Sequence, residues 1–249
     1  MAGFGSLDHE RQLARVPRVE DLANESALCQ VVETLVFAVE IPPDAGTETI
    51  PKALNPVLPP YVRFELHHHA ESPWGPFSTA MMTIAARANG LPRAFATGGF
   101  CDNDQVAEHF RLRYGMRFKR GSISIERRYS GMEGRVASEG RLVLDAIIER
   151  AEPVDRAQVL MPSLLNLAKF EGQLWLIEED RNFTIEVAER GMTLIRKCEP
   201  DAFGEERIQL RHTLPAIYVK SSLTYLPVAA LVDPGLPAYL GTRAIKTGT

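Results

Sequence analysis

The sequence predicts a mainly β protein (α+β class) with few helices, and three observations carry that reading. β-branched and aromatic residues alternate with polar ones in several stretches, most clearly over residues 61–71, YVRFELHHHAE. Asn89-Gly90 reads as a hairpin turn, and Glu171-Gly172 and Arg190-Gly191 are expected to break later strands. Strand-like stretches also outnumber those with helical spacing. At 249 residues and 45% hydrophobic, the chain suits one large β domain. The expected division is an arm over 1–27, a single domain over 28–240 and a loose tail over 241–249.

In order, the arm is polar, with one short helix expected near residues 8–15. Residues 29–41, CQVVETLVFAVEI, read as a strand. The next segment holds six prolines, which remove ladder donors, so a long loop is expected there. In residues 61–71 the period of two sends Val62, Phe64, Leu66 and His68 one way and Arg63, Glu65, His67 and His69 the other. That polar face either meets water or lines a cavity with a carboxylate and imidazoles. Residues 78–86 and 93–97 form a hairpin about Asn89-Gly90.

Gly98-Gly99 is expected to break the chain before a helix over 103–114. Asp102-Asn103 offer side-chain oxygens to the unpaired amides of its first turn. Val106, Phe110 and Tyr114 recur four apart on one face, and Gly115 ends it. A cationic knot, Arg117-Phe118-Lys119-Arg120, leads into a strand carrying Ile123 and Ile125. It reads either as a solvated turn or as a device that holds an amine in fixed geometry. The remainder alternates strands and turns to about residue 232.

The net charge of −4 excludes an ordinary nucleic-acid binder. Cys29, Cys101 and Cys198 are widely spaced and odd in number, which fits reduced thiols in a cytoplasmic protein. No signal peptide and no apolar run of about 20 residues is expected, so no membrane partner either. Phosphate-loop, nucleophile-elbow and His-Glu-x-x-His motifs are missing. Glu65, His67 and His69 are the one candidate metal set. Same-face positions on a strand step by about 7 Å, too far for three consecutive ones to share an ion, so no metal and no cofactor is expected.

Five segments in this order resemble the acetoacetate decarboxylase superfamily: VRFEL, WGPF, CDND with its helix, LLNLAKFEGQLWLIE and ERIQL. The resemblance covers about 58–232 and implies a closed, cone-like antiparallel β barrel with a deep apolar pocket, assembled as a homo-oligomer. It places the family's pocket glutamate at Glu65. The family's Pro-Lys-Lys follows the helix, and its first lysine forms a Schiff base with the ketone while the second depresses its pKa. Counted from Asp102-Asn103, those positions hold Arg117, Phe118 and Lys119. The family's second pocket glutamate falls on Thr79, and its substrate arginine near Glu33. Of the five family site residues only Glu65 and Lys119 remain.

The expectation is therefore an enzyme that keeps the pocket and changes the chemistry. It would carry out a lyase, dehydration or cyclisation step on a small oxo or polyketide-like substrate. Glu65 would be the acid or base, its pKa raised by burial, and Lys119 would polarise a carbonyl. Arg63, His67, His69, Phe77, Thr79 and Phe118 would line the substrate. The alternatives are a Schiff-base decarboxylase or aldolase-dehydratase using Lys119, and a non-catalytic binding protein.

Overall fold

A computed structural model describes residues 3–13, 15–129 and 131–245. The strands are β1 (Ala27–Glu40), β2 (Asn55–Pro56), β3 (Tyr61–Glu71), β4 (Phe77–Ala88), β5 (Leu91–Cys101), β6 (Phe118–Arg120), β7 (Ser122–Arg128) and β8 (Gly131–Ser138). They continue as β9 (Arg141–Pro153), β10 (Ser163–Phe170), β11 (Gln173–Glu179), β12 (Arg181–Cys198), β13 (Ala216–Tyr225), β14 (Ala230–Val232) and β15 (Thr242–Ala244). Among the described residues three α-helices accompany them: α1 (His9–Gln12), α2 (Pro43–Glu48) and α3 (Asp104–Tyr114).

All strands join one sheet, with the order β15-β14-β11-β10-β5-β4-β3-β1-β13-β12-β9-β8-β7; β2 and β6 branch from β4 and β5. Two features correct the expected closed antiparallel barrel. The hydrogen-bonded path stays open between β15 and β7 among the described residues, and β5 pairs in parallel with both β10 and β6. The edges are not bare: β7 ends in Glu126, Arg127 and Arg128, whose charges discourage further pairing.

The sheet buries a core on each face. Val62, Phe64 and Leu66 of β3 join one core with Phe37, Phe95, Phe100, Leu144 and Tyr218. The opposite face packs Cys29, Phe77, Met81, Leu164, Ile177 and Tyr225 against α3. Asn103 caps α3, its side chain accepting from the amides of Gln105 at 3.0 Å and Val106 at 3.2 Å. Gly115 ends the helix at φ 72°, a left-handed turn that costs glycine little. Val106, Phe110 and Tyr114 are each 1% exposed, and burying side chains of this size contributes roughly 1.5–3 kcal/mol apiece.

Three local expectations fail for clear reasons. Arg190-Gly191 does not break the chain, because β12 runs through both and the glycine sits at a register shift against β9. Gly98-Gly99 does not break the chain, because β5 runs through both to Cys101. A Cβ at Gly99 would sit 2.2 Å from the Ala80 carbonyl oxygen, so glycine here permits close strand approach. The proline-rich segment is not all loop: it holds α2 and β2. Pro42 and Pro43 start α2, where proline's fixed φ fits and its missing N–H is not needed. The arm is seated, with Leu7 in the first core and Val19 and Leu22 in the second. In the expected tail, Thr242–Ala244 pairs with β14, and residues 246–249 lie outside the described residues.

Candidate active site

The polar side of β3 does not meet water. Glu65 and His69 are fully buried, His67 is 1% exposed and Arg63 7%. Strand pairing brings further polar side chains to the same face. Tyr225 of β13 stands opposite Arg181 of β12, Glu179 of β11 opposite Leu164, and Asn166 of β10 opposite Ile177.

The cluster has two ends. At the β3 end, Arg181 Nη2 donates to Glu65 Oε2 at 3.2 Å and to the Pro162 carbonyl at 3.3 Å. Arg63 Nη2 lies 3.5 Å from Glu65 Oε1, and His67 Nε2 lies 3.5 Å from Glu65 Oε2. The Thr34 hydroxyl is 2.9 Å from His67 Nδ1. His69 stacks on Phe77 at 4.1 Å between ring centroids, with the Tyr225 hydroxyl 3.4 Å from its Nε2. At the other end, Asn166 Nδ2 donates to Glu179 Oε2 at 3.4 Å, and Glu179 is fully buried.

Electrostatics separate the two carboxylates. Burial pushes Glu65 upward, but Arg63 and Arg181, with His67, outweigh it and hold the carboxyl well below the usual range. This reverses the expectation that burial keeps Glu65 protonated. At Glu179 burial prevails over Arg181 and Asn166, and the pKa is pushed up to about 7. Burial lowers His67 and, more strongly, His69, so both imidazoles are neutral near pH 7. Among the described residues, Glu65 Oε1, His67 Nε2, His69 Nδ1, Glu179 Oε1 and Arg181 Nε are buried without a hydrogen-bond partner. Buried polar atoms normally have partners, so this convergence suits a small polar guest.

Register decides where the other expected residues stand. Glu65 pairs with Met81, Met81 with Gly99 and Gly99 with Phe118, one lateral row across four strands. Phe118 therefore shares Glu65's face, three strand spacings or roughly 14 Å away. It is half-buried, edge-on to Phe110 at 6.2 Å, and lines a groove of about 990 Å³. Thr79, 2% exposed, stands opposite His67. Lys119 pairs with Phe100 of the first core and so points to the other face. It is exposed, and its Nζ donates to the Ala202 carbonyl at 3.1 Å. Lys119 and Glu65 do not meet.

Arg181, Glu179, Asn166 and Tyr225 escaped the sequence reading. For the first two the sequence carries no alternation: residues 177–183 read IEEDRNF, a charged run that looks like a solvated turn between two strands.

Residues 16–173, well over half of the chain, match the acetoacetate decarboxylase (ADC) family. The chain belongs to that family. Its fold agrees with solved family structures at low identity. Against the acetoacetate decarboxylase of Legionella pneumophila subsp. pneumophila str. Philadelphia 1, the TM-score is 0.72 at 16% identity, covering 85% of this chain and 88% of that one. The enduracididine biosynthesis enzyme MppR, solved with pyruvate, gives 0.67 at 14%, covering 83% and 89%. An acetoacetate decarboxylase-like enzyme from Sphingomonas wittichii RW1 gives 0.65 at 13%, covering 83% and 93%. These identities carry the fold and leave the substrate open. No curated protein matches the chain at a significant level. Against this family background, no lysine among the described residues is buried: Lys52, Lys119 and Lys220 are exposed, and Lys169 and Lys197 partly so. No described helix is long and apolar enough to cross a membrane.

Proposed function

We propose that this chain is an acid–base enzyme of the acetoacetate decarboxylase family. It acts on an apolar oxo or polyketide-like compound and carries out a lyase, dehydration or cyclisation step without a Schiff base. The observation that carries the reading is a buried Glu65–Arg63–Arg181–His67 cluster with a near-neutral Glu179 and no lysine. An iminium mechanism needs an amine as electron sink, and none of these side chains is one.

The charges suit enolate chemistry. With Glu179 protonated and both histidines neutral, Arg63 and Arg181 carry two positive charges against the one negative charge of Glu65. The remaining positive charge favours a carbonyl oxygen that becomes negative in the transition state. Glu179, titrating near 7, is matched to donate a proton to that oxygen or to a departing hydroxyl. His67 is a neutral proton acceptor, and the Glu65 carboxylate stabilises the imidazolium that forms. Glu65 thus moves from proton donor to fixed anion. Phe77, Met81 and Tyr225 supply apolar surroundings for the substrate body. MppR is described with pyruvate and with the condensation product of pyruvate and imidazole 4-carboxaldehyde, both compatible with an oxo-compound class.

The test screens oxo acids and oxo esters for turnover, then repeats the active ones with borohydride. Turnover without a reduced adduct is expected, as is a fall of about 10²–10⁴ in kcat for Glu179→Gln. Wild-type activity should decline as pH rises through about 7, where Glu179 loses its proton. A trapped lysine adduct, or normal turnover by Glu179→Gln, overturns the reading.

A further inference from the structure

We infer that the groove beside β6 is a second binding site, open to solvent, for a small organic monoanion with an apolar body, held by Arg117 and Arg15. The groove, of about 990 Å³, is lined by these two residues together with Phe118, Lys119 and Phe203, and includes neither Glu65 nor its partners.

The argument rests on unmatched cations. Arg117 is only half-exposed, yet among the described residues its one side-chain hydrogen bond is a long donation from Nη2 to the Ala96 carbonyl at 3.5 Å. Among the described residues no carboxylate oxygen comes within 4 Å of the guanidinium of Arg117 or of Arg15. Glu205 is the nearby candidate, but Arg207 occupies it. Glu205 Oε1 accepts from the Arg207 amide at 3.1 Å and Nε at 2.7 Å, and Oε2 accepts from Nη2 at 2.6 Å. Burial, with Arg15 as a like-charged neighbour opposing Glu205, pushes Arg117 down to about 10. A guanidinium so placed is completed by a carboxylate, which matches its paired N–H groups.

The rest of the groove narrows the ligand. Phe118 packs on the second core but stays partly exposed, so it offers aromatic surface beside the cations, whereas the Phe203 ring is buried in the first core. Asp8, Asp201 and Glu206 also line it, and their charges disfavour a dianion. A monocarboxylate with an aryl or alkyl body satisfies both requirements. This inference does not depend on the buried cluster being the reaction site.

Calorimetric titration of the full chain with benzoate tests it, with benzyl alcohol as the uncharged probe. Saturable benzoate binding below about 10 mM is expected, weakening as salt is raised, with benzyl alcohol at least about 10-fold weaker. Arg117→Met should weaken benzoate about 10–100-fold, the loss expected for a charge-assisted pair. Arg15→Gln changes an exposed side chain and should weaken it about 3-fold, within the usual range of an exposed charge pair. No binding to folded wild-type protein, or wild-type affinity in a folded Arg117→Met, overturns the proposal. Should Arg117→Met fail to fold, Arg15→Gln decides, and unchanged affinity overturns it.

Discussion

Glu65 and Glu179 are both fully buried carboxylates on the same face of one sheet, and their proton affinities diverge. At the β3 end two guanidiniums outweigh desolvation, and Glu65 stays ionised. At the β11 end the neighbours are one amide at 3.4 Å and a more weakly felt Arg181, so desolvation prevails and Glu179 titrates near 7. Burial therefore does not set the sign of a shift; the count of opposing charges within reach does. A site holding one carboxylate fixed as an anion and another poised near neutrality has separate parts for orientation and for proton transfer.

Removing Arg181 should break that difference with the largest effect. Arg181 is 2% exposed at its side chain and bonds Glu65 directly. Arg181→Met leaves Glu65 with Arg63 and the neutral His67 and should raise its pKa. Stripping one partner from a buried ion pair typically costs about 3–5 kcal/mol, so chemical denaturation should show a loss of that order. A loss below about 1 kcal/mol would mean that Arg181 does not hold Glu65 in its charged form.

Glu179 gives the next effect, and pH separates it from Glu65. Its folded pKa is raised, so its contribution is fully present below the unfolded value near 4.5 and is lost as pH rises through about 7. Glu65 is depressed, so its contribution is present above about 4.5 and is lost as pH falls below that. The Glu179 contribution should therefore fall between pH about 4.5 and 7 by an amount on the order of 3 kcal/mol. His67 and His69, whose pKa values burial lowers, act in the opposite direction below about 6.5, so the comparison with a Glu179 variant isolates the Glu179 part. Glu179→Gln removes the titrating group, so its stability relative to wild type should climb across that window. Parallel curves for the two proteins would show that Glu179 titrates normally.

How far the sequence revealed this site depends on which contacts are local. The alternation of β3 was legible because strand geometry fixes it: Val62, Phe64 and Leu66 enter one core while Arg63, Glu65, His67 and His69 face the other. Helix α3 was legible through Asn103 and Gly115, which act on their own neighbours. The state of Glu65 was not legible. It depends on Arg181, 116 residues away in sequence and brought near through β12, β13 and β1. Glu179 was hidden in the charged run Glu178-Glu179-Asp180-Arg181, and its titration depends on desolvation by residues from distant strands.

Lys119 should show the smallest effect, because pairing parity separates it from both carboxylates. Neighbouring residues on a strand point to opposite faces, so Phe118 beneath Gly99 places Lys119 beneath Phe100. That is the side of Phe64 and Phe203, and the lysine's hydrogen bond to the Ala202 carbonyl lies near the surface. Its stem can cover apolar surface while the ammonium stays in water, which lowers the need for any ion pair. Lys119→Ala should change stability by no more than about 0.5 kcal/mol, the usual range for an exposed position. Its kcat on any substrate found for the wild type should stay within about 3-fold, since a group off the reacting face supplies no transition-state contact. A Lys119→Ala protein that folds normally but has lost turnover would put the reaction on the far face of the sheet, leaving the Glu65–Glu179 pair a purely structural device.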